Sequence, residues 1–233
     1  MNKDRNSGWK ATGIGVVVTL MLVCACARAG EGQREEDWIL EGDLLFCLTA
    51  AQGDTLAEAI SEVTGDVYHV AIVGRGPRGE VTVIEATTSR GVSERPLKEF
   101  LADSHHDKDG RPLVRAGRLK DRRNAGEWVA NARKLIGRPY DFQYLEGDSA
   151  VYCSELIHYA YKGADGEAIF PQQPMSFHDQ DGQITDFWKQ WYSQWGMEVP
   201  EGAPGTNPAG ISLSDKIEIV GDFYSAPSRC KVK

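Results

Sequence analysis

The stretch from Gly137 to Lys162, GRPYDFQYLEGDSAVYCSELIHYAYK, constrains this chain more than any other. Cys153, Leu156, Ile157 and Ala160 recur at steps of three and four, the spacing of one helical stripe. The residues before them, Glu146 to Ser149, are polar and turn-forming. The pattern predicts a loop that runs into a core helix with Cys153 in its first turn. Unpaired backbone N–H groups and the positive end of the helix dipole favour an anion at that place. A thiolate is such an anion, and the same N–H groups suit a developing oxyanion. A cysteine that only packs is the alternative, and what decides between them is a histidine able to reach it.

The chain supplies five histidines. His158 lies five residues beyond Cys153 in the same helix, about 500° of rotation away, so it faces elsewhere. His178 sits in a loosely patterned C-terminal region. His105 and His106 lie in the polar loop SHHDKDGR. Beside Asp107 and Asp109 they hint at a metal, but no second ligand cluster is spaced to complete a site, so no metal is expected. His69 differs from all of these. It sits inside the apolar run VYHVAIV, residues 67–73, where an imidazole is costly unless it is paired.

A second run, VTVIEAT at 81–87, follows a Gly/Pro/Arg-rich loop, so the two form a β-hairpin. Pairing around a loop centred on position 77 sets His69 directly opposite Glu85. Glu85 is itself an intruder between Ile84 and Ala86. The expected constellation is therefore His69, Glu85 and Cys153. The thiolate attacks a carbonyl, His69 shuttles the proton and Glu85 orients the ring. The Cys153 N–H is one expected oxyanion donor, and the hydroxyl of Tyr140 or Tyr152 is another candidate. Glu155 falls in the same helical turn as Cys153, where its charge opposes a thiolate; capping of backbone N–H groups is its expected task.

Elsewhere the pattern predicts a strand at 44–48 holding Cys47 in the core, a helix at 55–63 capped by Asp54, and a short helix at 96–101. A strand at 113–119, an amphipathic helix at 121–135 and a last strand at 216–220 follow. Trp188, Trp191 and Trp195 share one face of a helix at 187–195. That face is either a core stripe or an aromatic wall beside the site. Cys230, in the polar tail, receives no role.

The first 29 residues read as a signal peptide. Lys3, Arg5 and Lys10 precede an apolar run at 11–23 that is short for a membrane span, and Ala27-Arg28-Ala29 is an A-x-A cleavage signal. Val23-Cys24-Ala25-Cys26 instead resembles a lipoprotein box with Cys26 as a lipid anchor. Both readings export the mature chain to the periplasm or beyond, membrane-attached only through Cys26. Residues 30–41 read as a linker before a single domain at 42–233, with a Trp-rich insert at about 163–200. The formal net charge of −8 argues against nucleic acid as a partner.

Five motifs occur in order: G-D-L-L-F at 42–46, H-V-A-I-V at 69–73, I-E-A-T at 84–87, G-x-P-Y-D at 137–141 and Y-C-S-E-L at 152–156. Together they resemble the YiiX/YebB-like proteins, circularly permuted papain-like amidases of the NlpC-type cysteine hydrolase superfamily. The resemblance covers roughly residues 40–165. It implies an α+β fold in which the cysteine helix packs on a small antiparallel sheet or barrel. It also implies Cys153 as nucleophile, His69 as base, Glu85 as third polar residue, and no metal or organic cofactor. The expected activity is hydrolysis of an amide, with cell-wall peptides as a candidate substrate. Thioesterase or acyltransferase chemistry on an acyl chain, and an inactive binding module, are the alternatives.

Overall fold

The computed structural model describes residues 37–50, 53–147 and 149–225. The expected signal peptide at 1–29, with Cys24 and Cys26, and Cys230 lie outside these residues. The main sheet comprises the apolar runs β1 (Leu44–Leu48), β2 (Val67–Arg75) and β3 (Val81–Thr87), the more polar β4 (Gly91–Pro96) and β5 (Val114–Leu119) and, further along the chain, β8 (Ile217–Asp222). Its order is β4-β3-β2-β1-β5-β8, with every neighbouring pair antiparallel. The α+β expectation holds, and the sheet is open rather than closed into a barrel. Between its two halves, β6 (Gln173–Pro174) and β7 (Pro204–Gly205) make a separate two-stranded ribbon.

Among the described residues there are six helices: α1 (Thr55–Thr64), α2 (Leu97–Asp103), α3 (Ala125–Arg133), α4 (Cys153–Ala160), α5 (Asp186–Ser193) and α6 (Pro208–Ser212). Asp54 caps α1 by accepting the Ala57 N–H at 3.1 Å. Helix α4 lies on β2 and β3, with α3 against it. Leu156, Ile157 and Ala160 are fully buried, so the predicted stripe is the packing face. Burial of a leucine or isoleucine contributes about 1.5–3 kcal/mol. The helix ends at Ala160, where Tyr161 turns extended and stacks on Trp128 at 4.8 Å.

The packed chain begins at Ile39, ahead of Gly42, because Ile39 is wholly buried and its carbonyl accepts from Arg75 at 2.8 Å. The G-D-L-L-F motif has a structural meaning. Asp43, fully buried, receives Arg118 at 2.9 and 2.6 Å, and the Gly42 carbonyl receives the Tyr161 hydroxyl at 3.0 Å.

The β2–β3 register corrects the expectation. Ile72 pairs with Ile84 and Arg75 with Val81, so the loop is centred on Arg78. Gly79 takes a positive φ of 85° there, and the Gly76 carbonyl accepts its N–H at 2.9 Å. His69 is thus not directly opposite Glu85; it lies diagonally across from it. The shift moves each strand by one residue in opposite senses, which keeps both side chains on one face.

The loop before α4 is pinned to the β3–β4 turn. Val92 and Gly137 each bond across the gap, Val92 N–H to the Arg138 carbonyl and Gly137 N–H to the Val92 carbonyl, both at 2.9 Å. Gly91 has φ of 63°, and a methyl group on it would run into the Arg138 carbonyl. Gly91→Ala is expected to lower stability by more than about 1 kcal/mol. Urea denaturation checks this, and an unchanged midpoint contradicts it.

Candidate active site

Cys153 opens α4 and is 4% exposed. Its flank is held from both directions. Val151 N–H bonds the Pro139 carbonyl at 2.9 Å, and the Ser154 hydroxyl donates to the Thr206 carbonyl at 3.0 Å. His69, on β2, bonds Glu85 and lies near enough to Cys153 for the thiol to raise the ring's pKa. The Glu85 contact uses Nε2, at 2.8 Å from Oε2, so Nδ1 is the ring nitrogen not engaged by the carboxylate. Burial works against a charged ring, but the hydrogen bonds to Cys153 and Glu85 outweigh it and push His69 up to about 10.

The Glu85 side chain is 1% exposed, a costly place for a carboxylate. Burial alone would raise its pKa; His69 and Arg95 reverse that and hold it below the usual range. Arg95 Nε donates to Oε1 at 2.6 Å, so each carboxylate oxygen has its own partner. The sequence reading missed Arg95 because it began a helix at Pro96 and saw no strand at 91–96. The turn at 88–90 carried the signal. A strand folded back there sets Ser93 opposite Glu85 and Arg95 opposite Val83, as observed.

Two hollows meet at this cluster. A cleft of about 410 Å³ is lined by Cys47, Tyr68, His69, Glu85, Arg95 and Tyr140, among others. A narrower apolar slot of about 60 Å³ includes Tyr144, Tyr152, Cys153, Met175, Phe177 and Trp188 in its wall. The two predicted tyrosines therefore fall on different sides. Tyr140 donates its hydroxyl toward Tyr144 at 3.4 Å. The Tyr152 hydroxyl accepts the Thr206 N–H at 3.0 Å and keeps its own proton to give. Burial raises the pKa of all three tyrosines, so each stays a neutral donor. Tyr144 was not anticipated from sequence. It alone among the described non-glycine residues has a positive φ, 53°. Such strained backbone concentrates at functional sites.

The tryptophan stripe resolves unevenly. Trp188 is 2% exposed and edges against Phe177 at 5.1 Å, whereas Trp195 is 39% exposed. The inward pair on α5 is Trp188 with Tyr192, not all three indoles. Cys47 packs as expected, yet it also borders the cleft; burial, with Glu85 adding to it, pushes its thiol up. The other histidines lie outside the cluster. His105 Nδ1 accepts the Ala50 N–H at 3.0 Å, His158 bonds the Phe170 carbonyl at 2.8 Å, and His178 lies 3.3 Å from Glu201. His106 bridges to Pro112. Among the described residues no group of three or more His, Cys, Asp or Glu is placed to hold a metal ion.

Glu155 behaves as a cap. Its carboxyl accepts the Tyr152 N–H at 3.4 Å and the Tyr159 hydroxyl at 3.2 Å. Burial, ahead of these hydrogen bonds and of the negative Asp141 and Glu146, pushes its pKa to about 8. At neutral pH it is mostly a carboxylic acid, so its charge does not oppose a thiolate one turn away.

A cysteine at a helix N-terminus, facing a strand-borne histidine held by a carboxylate on an antiparallel sheet, is the arrangement of papain-like folds. The chain belongs to the permuted papain-like amidase family YaeF/YiiX, C92, whose family model matches residues 39–221. It is similar to the uncharacterized protein YiiX of Escherichia coli K12, at 31% identity over 90 residues. That match covers 38% of this chain and 43% of YiiX. A crystal structure described as metalloprotein YiiX from Escherichia coli O157:H7 shares the fold, with a TM-score of 0.64 at 21% identity. The likeness covers 79% of this chain and 98% of that one.

The raised pKa of Glu155 has a definite sign. An acid that holds its proton longer in the folded state loses folding stability as pH rises between its unfolded and folded values. Relative to wild type, Glu155→Gln is therefore expected to gain stability from about pH 4.5 to pH 8, by at least about 1 kcal/mol. Denaturation midpoints across that range test this; a pH-independent difference contradicts it.

Proposed function

We propose that this protein is a cysteine amidase working through a thioacyl intermediate. The observation that supports the reading is the His69 ring, bonded to the Glu85 carboxylate at 2.8 Å and near enough to the Cys153 thiol for it to raise the ring's pKa. The Cys153 thiolate attacks the amide carbonyl and forms the S–C bond. The imidazolium of His69 gives its Nδ1 proton to the amine as the C–N bond breaks. Water then attacks the thioester while Nδ1 takes the water proton, which releases the acid and restores the sulfur. The Cys153 N–H holds the oxyanion, with Tyr140 or Tyr152 as a second donor. Glu85 is a positioning residue that acts through His69.

The YiiX crystal structure is described as that of a metalloprotein. Here both Glu85 oxygens are taken by His69 and Arg95, and no described cluster suits a metal, so no step is routed through one. Exported peptides, cell-wall peptides among them, are the proposed substrates, with export through the N-terminal signal and attachment only through Cys26. Thioester or ester cleavage is the second reading, and the apolar slot beside Cys153 favours it.

Incubation with muropeptides and with acyl esters, followed by product mass, separates the two. Cys153→Ala is expected to abolish turnover, and His69→Ala to lower it by about 10²–10⁴-fold. Cleavage of neither class above the Cys153→Ala background overturns both readings and leaves a binding module. Iodoacetamide is expected to label Cys153 well ahead of Cys47, and His69→Ala to slow that labelling. Equal rates at the two thiols contradict an activated cysteine.

A further inference from the structure

The hydrogen bond between His69 and Glu85 works in only one sense. An ionised Glu85 accepts the Nε2–H, which leaves Nδ1 bare to take a proton from water or thiol. A protonated Glu85 donates to Nε2 instead, so the neutral ring carries its proton on Nδ1 and cannot act as a base toward the sulfur side. While the ring is charged, it holds Glu85 ionised itself. In the thioacyl state the sulfur is uncharged and the ring must be neutral. At that point a carboxylate with 1% exposure loses its nearest cation.

Arg95 is the remaining cation. Its Nε lies 2.6 Å from Oε1, and its Nη1 is fixed by the Asp103 carboxylate at 2.5 Å and the Glu99 carbonyl at 3.1 Å. The guanidinium sits 5.6 Å from the centre of the Phe100 ring, and its side chain is 9% exposed. A guanidinium does not give up its charge at any pH of interest. We propose that Arg95 is a positioning residue that keeps Glu85 a hydrogen-bond acceptor through the neutral-ring half of the cycle and so fixes the base tautomer of His69. Other charged or titratable groups facing the network are Cys47 from β1, Cys153 from α4, and Asp103 from α2. Arg90 joins from the β3–β4 turn, 3.5 Å from Asp103.

The inference rests on His69 as the base, and its test needs no substrate. A Cys153→Ala background reproduces the uncharged sulfur position. In that background, ¹³C shifts of the Glu85 carboxyl and ¹⁵N shifts of the His69 ring are followed against pH for Arg95, Arg95→Met and Arg95→Lys. Arg95→Met is expected to raise the Glu85 midpoint by about 1–3 pH units and to move the shared proton from Nε2 to the Glu85 carboxyl, leaving a neutral ring protonated on Nδ1 where the parent holds an imidazolium. Arg95→Lys, which keeps the charge, is expected to hold both near the parent values. Arg95→Gln gives the same reading as Arg95→Met should the latter not fold. An unchanged midpoint and tautomer in the neutral variants overturns the proposal, as does Arg95→Lys behaving like Arg95→Met. If no amide is ever cleaved but the tautomer moves, the hydrolase reading fails while the hold of Arg95 on the Glu85 charge and the His69 tautomer stands.

Discussion

A carboxylate buried between two apolar neighbours on a central strand is the constraint from which the site follows. Glu85 has no water to solvate it, so the fold must bring it opposite charge or strip it of its own. It brings two partners from two adjacent strands, one to each oxygen. The imidazole on one side is thereby held through Nε2, near Cys153 in the first turn of α4. The sheet holds the ring and the anion, and the helix dipole favours charge where α4 begins.

Much of this was legible from the chain alone. Cys153 is visible because loop polarity gives way to helical spacing just there. His69 and Glu85 stand out as polar side chains in apolar runs, which physics tolerates only in pairs. Their shared face survived an error in the turn, since strand side chains alternate with period two and opposite shifts of one residue preserve parity. Arg95 was hidden for the opposite reason. The run Gly91–Pro96 is polar and ends in proline, so it has no apolar alternation to mark a strand. Its pairing comes from tertiary context, not propensity.

Tyr144 was hidden because nothing in a tyrosine announces a left-handed backbone. The indoles were half readable. Their spacing gave a helix face, but helical periodicity does not tell which edge of a wide aromatic face turns inward, and Tyr192 took the place expected of Trp191 and Trp195.

Thr206 touches both neighbours of the cysteine, its carbonyl taking the Ser154 hydroxyl and its N–H giving to Tyr152. The segment carrying it lies more than fifty positions downstream, between α5 and the closing strand. Synthesis delivers imidazole, carboxylate and sulfur in that order, and delivers Thr206 only after more than fifty further residues. A molecule made only as far as α4 thus lacks part of the support around Cys153, which ties maturation of the sulfur's surroundings to arrival of a later segment.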